Sequence, residues 1–272
     1  MYRWILKITL ALSLAACLTP NFSDSASAAS ADASWIDTSS LQQGTVGVRY
    51  NGGTSKRVKV MITKASKVYT YDLNASRKTQ TFPLQSGSGA YEVALLENVG
   101  GTSYKKIDSA SVNLSSQNAK KVFLGSVQNV NWKDSKNAVA MAKKLTAGKK
   151  TDQAKAQAIH NYVATNIKYD YAKAKALGGV YLPSADSTLA SKKGICYDYS
   201  SLMAVMLRSS GIPTKLVMGK TTYVKEYHAW NEIYLNGKWV VVDSTVDAAY
   251  KKAGKNIPFA KDAKKYSAQK VY

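Results

Sequence analysis

KKGICYDYSSLMAVMLRSSGIP, residues 192–213, decides how this chain is read. Gly194 and Ile195 precede Cys196; from there Leu202, Val205 and Met206 recur at helical spacing, and Ser209-Ser210-Gly211 with Pro213 ends the run. The stretch predicts a helix that starts at a cysteine. The first N–H groups of a helix have no intrahelical partner, and the helix dipole is positive there. Both favour a thiolate at Cys196, and the same N–H groups can hold an oxyanion forming on a carbonyl. The one other cysteine, Cys17, lies near the start of the chain. A lone cysteine is commonly a small buried hydrophobe, so the reading turns on whether a base is supplied.

Histidine suits that task near neutral pH, because it can take a proton from the thiol and return one to a leaving group. The chain has two, His160 and His228. His160 falls on an expected helix whose apolar face is Ile159, Tyr162, Val163 and Ile167, with Thr151 as N-cap, and it reads as a surface or boundary residue. His228 opens HAWNEIYL and Asp243 closes KWVVVD. Between these runs lies Asn236-Gly237, a strong signal for a two-residue hairpin. Folding there sets His228 opposite about residue 245, which leaves Asp243 one diagonal step away, within reach of the imidazole.

Three blocks, TLASKKGICYDYSSLMAVMLRSSGIPTKLVMG, HAWNEIYLNGKWVVVDST and NYVATNIKYD, together resemble the transglutaminase-like superfamily. The resemblance rests on a cysteine after a Gly-x pair, a G-I-P turn, H-A-W, and W-x-x-x-D-x-T, and it covers about residues 135–247. It implies an α+β, papain-like or transglutaminase-like core, with helices packed on an antiparallel sheet. It also implies acyl transfer or hydrolysis at amide bonds, with Cys196 as nucleophile, His228 as general base and acid, and Asp243 as the orienting carboxylate. The implied substrate is a protein or peptide, attacked at a glutamine side chain or a peptide bond. Trp230, Tyr197 and Tyr181 are candidate cleft residues, with core packing the competing role for Trp230; Asp198 and Tyr199 are candidates to cap the helix or to line the cleft. No His/Cys or EF-hand-like metal spacing appears, and no metal or cofactor is expected.

Outward from this core the chain divides. Residues 36–127 alternate in strand fashion, as in Val58/Val60/Ile62, Tyr69/Tyr71/Leu73 and Tyr91/Val93/Leu95, with Gly-rich turns between. Strand-like runs extend to Lys121–Leu124. About seven short strands predict a small all-β, immunoglobulin-like sandwich. Residues 130–272 form the expected catalytic domain, with 171–195 reading as loop and the basic tail from Lys251 unplaced. At the other end, Arg3, Lys7, an apolar run from Ile8 to Leu18 and the small residues after it have the layout of a signal peptide over residues 1–31. Leu14-Ala15-Ala16-Cys17 also resembles a lipobox, in which case Cys17 is lipidated and the protein is membrane-anchored. Either reading places the protein outside the cytoplasm, secreted or bound to the cell envelope. The net charge of +21 is spread along the chain rather than gathered into a nucleic-acid-binding motif. An anionic cell-wall polymer is the expected counter-charge. The alternative function from these features is a non-catalytic cell-envelope binding module.

Overall fold

The computed structural model describes residues 34–50, 52, 56–74, 78–115 and 119–272. The leader expected at residues 1–31, with Cys17, lies outside them, as do Asn51 and Gly53 of the first expected turn.

Seven strands come first: β1 (Ile36–Asp37), β2 (Thr45–Val48), β3 (Val58–Lys64), β4 (Lys67–Leu73), β5 (Gln80–Pro83), β6 (Gly89–Gly100) and β7 (Ser103–Leu114). They form two antiparallel sheets, ordered β1-β2-β5 and β4-β3-β6-β7. Alternation decides which side chains enter the core: Val58, Val60 and Ile62 are buried, as are Tyr71, Leu73, Tyr91, Val93 and Leu95. Lys121–Leu124 is a 3-10 turn rather than a strand, and it buries the adjacent pair Val122 and Phe123. Four residues are too few for alternation to distinguish the two.

The second half contains α1 (Lys136–Thr146), α2 (Asp152–Asn166), β8 (Lys168–Tyr169), α3 (Tyr171–Ala176), α4 (Ala185–Ser191), β9 (Lys193–Gly194), α5 (Cys196–Ser209), β10 (Thr214–Thr221), β11 (His228–Leu235), β12 (Lys238–Val242), α6 (Ser244–Lys252) and β13 (Tyr266–Val271). Residues 171–195, expected as loop, thus hold two short helices and a strand that pairs in parallel with β8. The unplaced tail supplies β13, which joins an antiparallel sheet ordered β12-β11-β10-β13. Thr151 caps α2 as expected, its Oγ1 accepting from the Ala154 N–H at 3.1 Å.

Helix α5 is buried without interruption from Asp198 to Arg208, the pattern of a helix surrounded on all sides. It packs on β10 and β11 and against α1, α2, α4 and α6. Each fully buried Leu or Met on it contributes about 1.5–3 kcal/mol. Its C-terminal end is fixed by Arg208, whose guanidinium donates at 2.8 Å to each of three carbonyls, Thr214 O, Gly125 O and Tyr272 O. Burial without a carboxylate partner brings Arg208 down to about 9. The apolar core is continuous between the halves: Tyr71 of β4 meets Tyr272 edge-on at 5.9 Å, and Val127 and Val130 belong to the same cluster as Leu202 and Leu216.

Candidate active site

The cysteine sits where two local constraints place it. Strand β9 is held to β8, with Gly194 O accepting from the Asp170 N–H at 2.9 Å. Gly194 is required at this turn: a Cβ there would lie 2.6 Å from the Asp198 Cβ. Ile195 then adopts the extended N-cap conformation, and its N–H donates to Asp198 Oδ2 at 2.9 Å. The first in-helix bond of α5 runs from the Tyr199 N–H to Ile195 O. Helix geometry therefore leaves the N–H groups of Cys196, Tyr197 and Asp198 without intrahelical acceptors, beside a half-buried thiol.

Asp198 is fully buried, and its charge is answered by Lys173 Nζ at 2.7 Å and by the Tyr181 hydroxyl. The Tyr181 hydroxyl also binds Lys173 Nζ. Tyr181 packs edge-on against Tyr197 at 6.1 Å, and the Tyr197 hydroxyl accepts from Asn129 Nδ2 at 2.6 Å. These groups fix the entrance to α5, with Lys173 the member that loop-like sequence gave no reason to single out.

His228 is the first residue of β11, and the hairpin that follows closes with Leu235 opposite Lys238. Asn236 and Gly237 take left-handed conformations, φ 51° and 82°, as a two-residue hairpin requires. The strand pairing stops at Asn231 and Val242. Asp243 is thus not a diagonal strand neighbour of His228, as the spacing suggested, but the N-cap of α6. Its Oδ1 accepts from the Thr245 and Val246 N–H groups at 3.2 and 3.0 Å. That leaves Oδ2 for His228 Nε2 at 2.8 Å and for the Tyr266 hydroxyl at 3.0 Å. Cys196 lies close enough to the imidazole to act on its charge. Cys196, His228 and Asp243 are therefore brought together from α5, β11 and the cap of α6.

The electrostatics follow from these contacts. Burial alone would push His228 down, but the Asp243 carboxylate and the neighbouring Cys196 outweigh it and raise it to about 10. Tyr266 is pushed well above the ordinary phenol range by burial and by the Asp243 charge, so its proton stays on the oxygen. Trp230 is only 1% exposed; its ring stacks on His228 at 6.4 Å and 20°, and touches Tyr266 at 5.0 Å. It lies under the site and shields it from water rather than lining an opening. Tyr266 was invisible in the sequence, since its strand carries no alternation.

His160 is a correction. It is 4% exposed, not at the surface, and pairs with Asp247 at 2.6 Å, with Lys261 Nζ 2.7 Å from the same carboxylate. A cavity of about 150 Å³ beside it is lined by α2, α6 and the segment from Lys255 to Phe259, and does not reach Cys196. Among the described residues no group of three or more His, Cys, Asp or Glu side chains is placed to hold a metal ion.

A cysteine at a helix N-terminus, beside a histidine held by a buried aspartate, is what this α+β fold brings together. Residues 139–244 match the model of the transglutaminase-like superfamily. Human kyphoscoliosis peptidase is 31% identical over 105 residues, which are 35% of this chain and 16% of that protein. A UPF0252 protein of Methanocaldococcus jannaschii is also 31% identical, over 104 residues that are 35% of this chain and 30% of that one. The matched region is thus less than a third of either curated relative. Among solved structures, the periplasmic domain of TgpA from Pseudomonas aeruginosa has 15% identity and a TM-score of 0.40, covering 80% of this chain and 96% of that one.

Proposed function

We propose that the protein is an exported thiol enzyme that breaks an amide bond through a thioester on Cys196, with residues 130–272 as its catalytic unit. The observation that supports this best is the Cys196–His228–Asp243 constellation at the start of α5. In the first step the Cys196 sulfur attacks the carbonyl carbon, and charge moves to the carbonyl oxygen. The unpaired N–H groups of the α5 first turn face that charge. Collapse breaks the C–N bond; His228, protonated at neutral pH, gives its proton to the departing amine or ammonia and becomes neutral. In the second step neutral His228 takes a proton from an incoming amine or water as it attacks the thioester, and the sulfur leaves as thiolate. An amine acceptor gives a new amide and water gives the acid. Asp243 holds the imidazole in the tautomer both steps need.

Protein and peptide amides, at a glutamine side chain or in the main chain, are the proposed substrates. The leader-like residues 1–31 support export, the Cys17 lipobox would add an anchor, and the charge of +21 supports retention on an anionic cell wall. Among the described residues no helix is long and apolar enough to cross a membrane. The strands of residues 36–127 are proposed as a β-domain fixed against the catalytic unit.

The test offers a glutamine-bearing protein with a labelled primary amine, and in parallel unlabelled peptides and cell-wall peptide. Cys196→Ala should lower incorporation or cleavage by on the order of 10⁴-fold or more. Equal rates for parent and variant on every substrate, with salt-sensitive retention of both on purified walls, would leave the protein a binding module instead.

A further inference from the structure

Asp243 Oδ2 does not serve His228 alone. It accepts from the Tyr266 hydroxyl at 3.0 Å as well as from the imidazole at 2.8 Å. An ionised carboxylate can only accept, so the phenol must be the donor. Thr221 is the register partner of Tyr266 across the β10–β13 pair, and its hydroxyl acts to lower the phenol's tendency to hold its proton. Thr221 Oγ1 in turn accepts from the Tyr223 N–H at 3.3 Å, which directs its own proton away from that amide. The phenol proton therefore ends on the oxygen that holds His228, with Thr221 across the strand pair beside it.

The strand that carries Tyr266 is tied in at its far end. The Tyr272 N–H and carbonyl both bond to Leu216, and Arg208, from the helix that starts at Cys196, donates to Tyr272 O at 2.8 Å. Packing holds the phenol ring on Trp230 at 5.0 Å and against Tyr223 at 5.8 Å.

We infer that Tyr266 is a positioning residue of this site: its hydroxyl competes with His228 for one oxygen of Asp243 and so sets how tightly the carboxylate holds the imidazolium. The inference rests on the thiol-enzyme reading above. The physical consequence has a definite sign. Each hydrogen bond donated to a carboxylate disperses its charge. With the phenol present, Asp243 holds the imidazolium less tightly, and His228 gives up its proton to a leaving group more readily. Without it, the proton is held harder. The titratable groups that face His228 are Cys196 and Asp243; those that face Tyr266 are Asp243 and Tyr223.

The test is Tyr266→Phe, which removes the hydroxyl and keeps the ring on Trp230. The chain has only two histidines, so imidazole NMR resolves His228, and His228→Gln assigns its signal. Loss of one neutral donor is expected to move the His228 midpoint upward by about half to one pH unit. Thr221→Val, which leaves Tyr266 in place, should move it in the same direction by less. On an active substrate, kcat should fall while KM holds. A His228 midpoint in Tyr266→Phe that is unchanged or lower, in a parent whose His228 titrates well above 6.5, overturns the role of Tyr266. A parent His228 that titrates near 6.5 overturns instead the reading on which it rests.

Discussion

Asp243→Asn is the perturbation whose outcome the geometry constrains most. Asp243 uses both oxygens as acceptors: Oδ1 for the Thr245 and Val246 N–H groups, Oδ2 for His228 and Tyr266. Asparagine has one oxygen, so either orientation fails on one side. If its oxygen keeps the α6 cap, its NH₂ faces His228 Nε2 and forces that nitrogen to accept. The imidazole proton then moves to Nδ1, the wrong tautomer to take a proton from the Cys196 side. If its oxygen keeps His228, two donors meet the N–H groups of α6, and the cap is lost at about 1 kcal/mol or more. In both cases the carboxylate charge that offsets burial is gone. His228, raised to about 10 in the parent, should fall to its ordinary 6.5 or below. A fall of three and a half units is about 5 kcal/mol in favour of the neutral ring. At pH 7.5 the imidazolium then drops from nearly all molecules to roughly a tenth of them or fewer. Turnover should fall by on the order of 10²–10⁴, and imidazole NMR should follow His228 to the lower midpoint. An Asp243→Asn protein that keeps more than about a tenth of parent turnover, with His228 still titrating above 9, would refute this reasoning.

Three further outcomes follow from the same contacts. The folded value of His228 lies above its unfolded value, so its contribution to stability is complete below pH 6.5 and disappears as pH rises through about 10; thermal melts of the parent between pH 6 and 10 should show a loss that His228→Gln lacks. Gly194→Ala should displace the Asp198 side chain that its Cβ would meet at 2.6 Å, so that labelling of Cys196 slows by about tenfold or more while the far-UV spectrum is unchanged; labelling at the parental rate would count against the cap as the device that places the cysteine. Arg208→Lys keeps a charge but cannot span three carbonyls, and loss of two charge-assisted bonds should cost about 3–5 kcal/mol in urea unfolding; a cost under about 1 kcal/mol would show that the guanidinium fork contributes little.

What the sequence made legible was local or short-range. Asn236-Gly237 predicted the hairpin, and with it the pairing of β11 and β12, because only a two-residue turn with two left-handed residues fits there. Gly194-Ile195-Cys196 marked the start of α5, and Thr151 that of α2. What failed needed partners distant in the chain. His160 sits next to the apolar stripe of α2, and its burial depends on Asp247, 87 positions away, with Lys261 beyond it. Tyr266 reaches Asp243 only because β13 returns to the edge of β10, and a strand with four exposed interior residues offers no alternation to detect. Helices α3 and α4, of six and seven residues, are too short for a 3.6-residue period to emerge. Asp243 was placed beside His228 for a partly mistaken reason: the chain leaves the strand at Val242, and the helix cap, not the sheet register, completes the approach.

The central claim is that Cys196 is a nucleophile activated by His228. Its most direct test is the rate at which iodoacetamide modifies Cys196 at pH 6, followed by mass spectrometry in the parent and in His228→Gln. The account predicts that the parent reacts at least about tenfold faster than a free cysteine peptide and that His228→Gln loses this advantage. Equal rates for parent, variant and peptide would contradict it.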